Sequence, residues 1–214
     1  CEMGSARWAV RDGQCEMGTA RWVRRDGYGE MGMAKMHSRD EPNGHGRVHV
    51  YTGSGKGKTT AALGLALRAA GAGMRVFIAQ FCKGQLCSEH SALQRFDDLV
   101  RCTQYGGLGF ITGPPTDEDV LEAQRGLQDA RQAVSSGEYQ LVILDEVNVA
   151  MHLGLLAVED VLELIESRAP EVELVLTGRN APAVIVERAD LVTDMAAVKH
   201  YLDRGHQARR GIEM

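Results

Sequence analysis

The stretch from residue 47 to residue 214 predicts an α/β fold with a mostly parallel central sheet and helices on both faces. Three observations carry this. From Arg47 onward, short apolar runs alternate with stripes of helical period. The run Leu141 to Leu144 is unbroken and closes on Asp145-Glu146, as in a central parallel strand buried on both faces. Val48 to Thr52 reads as a strand that enters a glycine-rich turn, and Lys58 to Ala70, rich in Ala and Leu, reads as the helix that leaves it.

The remaining elements follow in order. Arg75 to Phe81 is a second strand ending in a polar loop, and Val100 to Gln104 a short third one. Pro114-Pro115 marks a loop. Thr116 then opens a long helix, with Asp119 three residues on, close to a capping box. Val120, Ala123, Leu127, Ala130 and Val134 form its apolar stripe, and Gly137 stops it. Val158, Val161, Leu162 and Ile165 make another helix stripe. Leu174 to Thr177 and Leu191 to Thr193 are two more short strands, with a loop at Asn180-Ala181-Pro182.

Residues 1–46 have a different texture. The first 42 are three copies of a 14-residue unit: CEMGSARWAVRDGQ, CEMGTARWVRRDGY and GEMGMAKMHSRDEP. Repeat architectures need units of about 20 residues or more, and a short unit with two glycines is a poor helix and a poor strand. The segment therefore reads as a disordered or non-native tail: a tandem duplication, or translation from upstream of the true start, with Met31, Met33 and Met36 as candidate starts. The functional alternative is an arm that anchors a partner through Trp8 and Trp22. Seven basic and seven acidic residues in positions 1–46 leave the tail neutral, so the net charge of −5 belongs to the rest.

That charge gives no electrostatic case for nucleic acid or an anionic membrane as the main partner. No run of about 18 apolar residues predicts a membrane span, and the N-terminus lacks the apolar core of a signal peptide, so the expected location is cytoplasmic. The five cysteines, an odd number with two in the tail, do not read as a disulfide framework. Cys82 and Cys87 have no second pair at zinc-ligand spacing.

The chemistry concentrates in Thr52-Gly53-Ser54-Gly55-Lys56-Gly57-Lys58-Thr59-Thr60. The string lies between a strand and a helix, the context a P-loop requires. Glycines at 53, 55 and 57 permit a tight turn whose N–H groups point at an anion. The first helical turn adds unpaired donors and the positive end of the dipole. Lys58 supplies a cation for the terminal phosphates and Thr59 a hydroxyl for Mg²⁺. The spacing departs from the usual P-loop: Thr52 stands where the first glycine belongs, and Gly53 comes one step late. Asp145-Glu146, at the end of an apolar strand, is the acidic pair that holds Mg²⁺ in P-loop folds, directly or through water. The expected fold is thus P-loop NTPase-like, with ATP and Mg²⁺ as ligands.

Residues 47–214 resemble the P-loop corrinoid adenosyltransferases, which act on cobalamin or cobyrinic acid a,c-diamide. The family's loop looks like TGNGKGKTTAA, and Thr52 to Ala62 reads TGSGKGKTTAA, with the same glycine shift. Further matches are Gln80-Phe81, Lys83-Gly84, Leu144-Asp145-Glu146 and Thr177-Gly178-Arg179-Asn180-Ala181-Pro182. The ending Lys199-His200, Asp203, Gly205, Ala208 and Gly211-Ile212-Glu213 follows the family's closing pattern. Thr112 stands where some members carry Trp, and Tyr201 where the family commonly has Pro.

The resemblance implies that Co(I) of a corrinoid attacks the 5′ carbon of ATP and displaces triphosphate. Lys58 and Glu146 are then the catalytic residues. Gly53, Ser54, Gly55, Lys56, Gly57, Lys58, Thr59, Thr60 and Arg179 are expected to bind ATP, and Thr59, Glu146 and, less directly, Asp145 to hold Mg²⁺. Phe110 and Asn180 are expected on the corrinoid, Phe110 pressing on its lower face. The family also implies a homodimer and a flavoprotein reductant. Since cobalt is the nucleophile, His49, His90, His152, His200 and His206 have no assigned catalytic role. Two other readings compete: a generic P-loop ATPase or kinase, and a nucleotide-binding regulatory protein.

Overall fold

The structure, a computed structural model, describes residues 45–84, 87–107, 111 and 113–213, together with the backbone of three short strands nearer the N-terminus. Two compact units make up the chain, 1–43 and 44–214.

In the first unit, β1 (Ala9–Arg11), β2 (Gln14–Met17) and β3 (Ala20–Val23) form an antiparallel sheet in that order. Val10 pairs with Cys15, and Cys15 with Trp22. The reading of the repeat as a poor strand is corrected here. Asp12-Gly13, between β1 and β2, is one of the dipeptides favoured in two-residue hairpins. β1 pairs with β2 mainly across two copies, and β2 with β3 mainly within the second copy.

The second unit is a six-stranded parallel sheet. Its strands are β4 (Val48–Thr52), β5 (Val76–Phe81), β6 (Val100–Tyr105), β7 (Leu141–Asp145), β8 (Glu173–Thr177) and β9 (Leu191–Asp194), in the spatial order β6-β5-β7-β8-β4-β9. Its helices are α1 (Lys58–Gly71), α2 (Ser88–Leu93), α3 (Asp117–Ser135), α4 (Val147–His152), α5 (Val158–Ser167) and α6 (Ala183–Arg188). The fold is α/β and P-loop NTPase-like, as the sequence predicts.

Strand parity sorts the core onto two faces. Register places Val76 opposite Leu141 and Ile78 opposite Ile143. These four side chains pack with Val175 and with Ala62, Ala66, Ala69 and Ala70 of α1. The alternate residues Phe77, Ala79, Val142, Leu144, Leu174 and Leu176 point to the other face, against α3, α4 and α5. Both faces of the central strands are covered, which is why β5 and β7 are apolar with no alternation.

The alanine face of α1 and one glycine set the helix–sheet distances. Gly126 of α3 is buried, and a Cβ there would lie 2.7 Å from the Tyr105 ring and 2.8 Å from that of Phe81. Thr116 caps α3 with a complete capping box: its hydroxyl accepts from the Asp119 N–H at 3.2 Å, and its own N–H donates to Asp119 Oδ2 at 2.9 Å. Such a cap contributes about 1 kcal/mol. Three six-residue helices, α2, α4 and α6, were not expected from the sequence; each is under two turns, too short for an apolar stripe to show its period.

Candidate active site

The C-terminal ends of the parallel strands carry the site, where open α/β sheets place their ligands. The turn after β4 is built from backbone. Gly53 has φ +95° and Gly57 φ +122°, both in the left-handed region. Gly55 is pressed on the segment after β9: its N–H donates to Met195 O at 2.6 Å, and a Cβ there would lie 2.5 Å from that oxygen. Lys58 is buried, and its ammonium donates to Gly53 O and Gly55 O, both at 2.7 Å. Burial pushes its pKa down, with Glu146 the main counterweight and Arg179 adding to the decrease. Lys56 reaches the C-terminal turn, donating to Ile212 O at 2.9 Å.

The turn after β7 is built from side chains. Asp145 is 1% exposed. Its Oδ1 accepts from Thr59 Oγ1 at 2.9 Å and from Thr177 Oγ1 at 2.7 Å. Its Oδ2 accepts from Lys83 Nζ at 2.6 Å and Gln80 Nε2 at 3.2 Å. Gln80 is itself held: its Oε1 lies 2.7 Å from His90 Nε2, and His90 Nδ1 lies 3.0 Å from the Cys87 backbone nitrogen and 3.1 Å from the Cys87 carbonyl oxygen. The next residue is the opposite case. Glu146 adopts φ +63°, so the chain reverses hand and its carboxylate leaves the sheet. Its backbone N–H donates to Thr177 Oγ1 at 3.0 Å, but its side chain makes no hydrogen bond among the described residues. Burial raises the Glu146 pKa, the neighbouring Asp145 charge adds to this, and Lys83, Lys58 and Arg179 pull it back.

A cleft of about 710 Å³ lies over these turns. Residues 55–60, Glu146 and Arg179 line it together, as do Lys83 and the C-terminal turn at Ile212 and Glu213. Gly53 and Ser54 shape the start of the loop, and Asp145 lies beneath it; none of the three lines the cleft. Asn180 is exposed, at φ +56°, and is also absent from the lining. Phe110 lies outside the described residues. The sequence reading assigned no role to Gln80, Lys83, His90 or Thr177. The usable signal was a polar residue, Gln80 or Thr177, near the end of an otherwise apolar strand.

The donor set fits a divalent cation of the Mg²⁺ type. Such ions keep water and substrate phosphates and take only one or two protein carboxylates. Among the described residues the site offers the Glu146 carboxylate, which makes no side-chain hydrogen bond, and a Thr59 hydroxyl whose proton is committed to Asp145 and whose oxygen lies 3.5 Å from Lys83 Nζ. No group of three or more His, Cys, Asp or Glu residues suited to a metal occurs among the described residues. Asp145 fits poorly as a direct ligand because both its oxygens are engaged. The thiols of Cys82 and Cys102 are pushed up to about 11 and about 12, chiefly by burial, and stay protonated at neutral pH.

A strand, a glycine loop with an inward lysine, and a carboxylate facing it across one cleft define a P-loop nucleotide-binding enzyme. More narrowly, residues 44–214 match the family described as ATP:corrinoid adenosyltransferase BtuR/CobO/CobP, and the chain belongs to that family. It is 36% identical to a corrinoid adenosyltransferase of Pseudomonas aeruginosa, over 82% of this chain and 86% of that one. It is 32% identical to the corrinoid adenosyltransferase of Escherichia coli K12, over 78% of this chain and 85% of that one. An uncharacterized protein of Nostoc, all2391, is 39% identical over 72% of this chain, which covers 45% of that protein.

Proposed function

We propose that this enzyme, a corrinoid adenosyltransferase by family, treats the P-loop as a holder for a leaving group. The observation that carries the reading is the convergence of Lys58, Thr59, Glu146 and Arg179 on one cleft above the strand ends. In the reaction the Co(I) electron pair forms a bond to the 5′ carbon of ATP, the C5′–O bond breaks, and triphosphate departs with the electron pair of that C–O bond. No proton need be removed, so no side chain has to act as general base. The loop N–H groups and Lys58 meet charge as it grows on triphosphate. Lys58 then exchanges its contacts with the carbonyls of Gly53 and Gly55 for phosphate oxygens. Thr59 and Glu146 would hold Mg²⁺, which when bound neutralises phosphate charge. Asp145 orients Thr59 rather than binding metal. Arg179 positions the nucleotide from the β8 end, and Phe110 and Asn180 serve the corrinoid.

The wider setting belongs to the same proposal: a cytoplasmic homodimer supplied with Co(I) by a flavoprotein. Among the described residues no helix is long and apolar enough to cross a membrane. The edge strand β9 exposes Leu191 and Val192, which supports a contact between copies. Product analysis tests the chemistry. With ATP, Mg²⁺ and chemically reduced corrinoid, the expected products are tripolyphosphate and a light-sensitive adenosylcorrinoid in equal amounts. Orthophosphate released without corrinoid would sink the proposal in favour of an ATPase.

A further inference from the structure

Lys83 stands beside the P-loop on the turn after β5, and its position is fixed by backbone packing. Cys82 takes φ +56°, which turns the chain back over the sheet. Gly84 touches the next turn so closely that a Cβ would lie 2.3 Å from Gly107 O. From the other side, a Cβ on Gly106 would lie 2.8 Å from the Lys83 N–H nitrogen. The side chain therefore cannot be carried elsewhere without remaking both turns. Its ammonium rests 2.6 Å from Asp145 Oδ2 and 3.5 Å from Thr59 Oγ1. Asp145 is 2% exposed at its side chain but Lys83 is 24% exposed, so the pair has a buried anion and a cation facing the cleft.

Asp145 has its other bonds in place without Lys83: Thr59 and Thr177 on one oxygen, Gln80 on the second. An ammonium has three N–H groups. One is committed to Asp145 and one points toward Thr59; the third has no partner among the described residues. A polyphosphate seated on residues 55–60 beside Thr59 would bring anionic oxygens within its reach. The neighbouring Asp145 and Glu146 would otherwise present two negative charges to that polyphosphate.

We propose that Lys83 is a second triphosphate-binding cation, contacting the phosphate chain while Asp145 anchors its ammonium. The inference rests on the reading of the cleft as a triphosphate site, and deepens it. Lys58 serves the loop side of the phosphate chain and Lys83 the β7 side. Lys83 thereby offsets the charge of Asp145 and allows the acidic turn to sit close to a polyanion.

Calorimetric titration with inorganic tripolyphosphate, in EDTA and again with Mg²⁺, tests this on wild type, K83A, K83R and the K83M/D145N double variant. K83A is expected to weaken tripolyphosphate binding by about tenfold to a hundredfold, the loss of one charge-assisted hydrogen bond. K83R is expected to stay within about threefold of wild type. The double variant, which removes the Asp145 charge along with the lysine, should recover part of the loss but stay clearly weaker than wild type. The proposal is overturned if K83A keeps wild-type affinity, or if the double variant regains full wild-type affinity, since Lys83 would then be only the counter-charge of Asp145. Wild type that binds no tripolyphosphate in either buffer would overturn the triphosphate reading itself.

Discussion

The turn after β4 and the turn after β7 face each other across the cleft but are made of different material. The first is a backbone object: three glycines and a lysine that folds onto loop carbonyls. The second is a side-chain object: one carboxylate engaged by four donors from β5, β8, α1 and the Lys83 turn, followed by one with no side-chain hydrogen bond among the described residues. Local sequence specifies the first. The second exists only because four separate segments meet. Neighbours in sequence therefore have opposite surroundings: Asp145 is held by four donors, and the half-buried Glu146 carboxylate lines the cleft.

Four substitutions break or sharpen that contrast, from the largest effect down. Lys58→Ala should lower kcat/KM by roughly 10²–10³-fold, in line with removal of a preorganised group at developing charge. Steady-state formation of adenosylcorrinoid checks it, with Tm unchanged or slightly raised, because burial disfavours this ammonium.

Asp145→Asn should act on the fold. An amide N–H would meet the donors on Lys83 and Gln80, or those on Thr59 and Thr177, and the lysine charge would lose its partner. Breaking such a pair costs about 3 kcal/mol or more, so Tm should fall by roughly 10 °C. A thermal melt of metal-free protein that shows no change would refute the supporting role.

Gly55→Ala tests the backbone turn. The new Cβ meets Met195 O, a backbone atom that moves only with its strand end. A loss of about 1–2 kcal/mol is expected, a Tm drop of roughly 5 °C, together with weaker ATP binding by calorimetry.

Glu146→Gln should have the smallest effect on stability, and its sign is reversed. The Glu146 carboxyl has a raised pKa, so the folded protein holds this proton more tightly than the unfolded chain. Its stability contribution is therefore lost as pH rises from the ordinary carboxylate value through the raised one, and the penalty persists above. In EDTA the variant should be more stable than wild type at neutral pH, with the gain vanishing as pH falls toward 4.5, the ordinary value. Mg²⁺ should stabilise wild type in the presence of ATP and the variant much less. Equal stability at every pH would mean that Glu146 is solvated rather than held in a low-dielectric cleft.

Much of the fold was legible because it is repetitive at short range. The strands at 48–52 and 141–145, and the helix stripe through Ala123, Leu127 and Ala130, each show their period within one segment. The small helices at 88–93, 147–152 and 183–188 do not, since six residues hold less than two turns. The strands near the N-terminus were missed for another reason: each is only three or four residues long, too short to show a period of two.

For the site, the sequence by itself determined the glycine loop, Lys58, Thr59 and the acidic pair, because a strand, a tight turn and a helix N-terminus are local and their anion-binding groups come with the backbone. Only the tertiary structure decided the different surroundings of the two acids. Strand order brings Gln80, Thr177 and Lys83 onto Asp145, and the left-handed turn at Glu146 carries its carboxylate away from them. A hydrogen-bond partner that lies 30 or 60 residues off leaves no mark in the neighbouring letters, so the contrast between two adjacent carboxylates comes from packing.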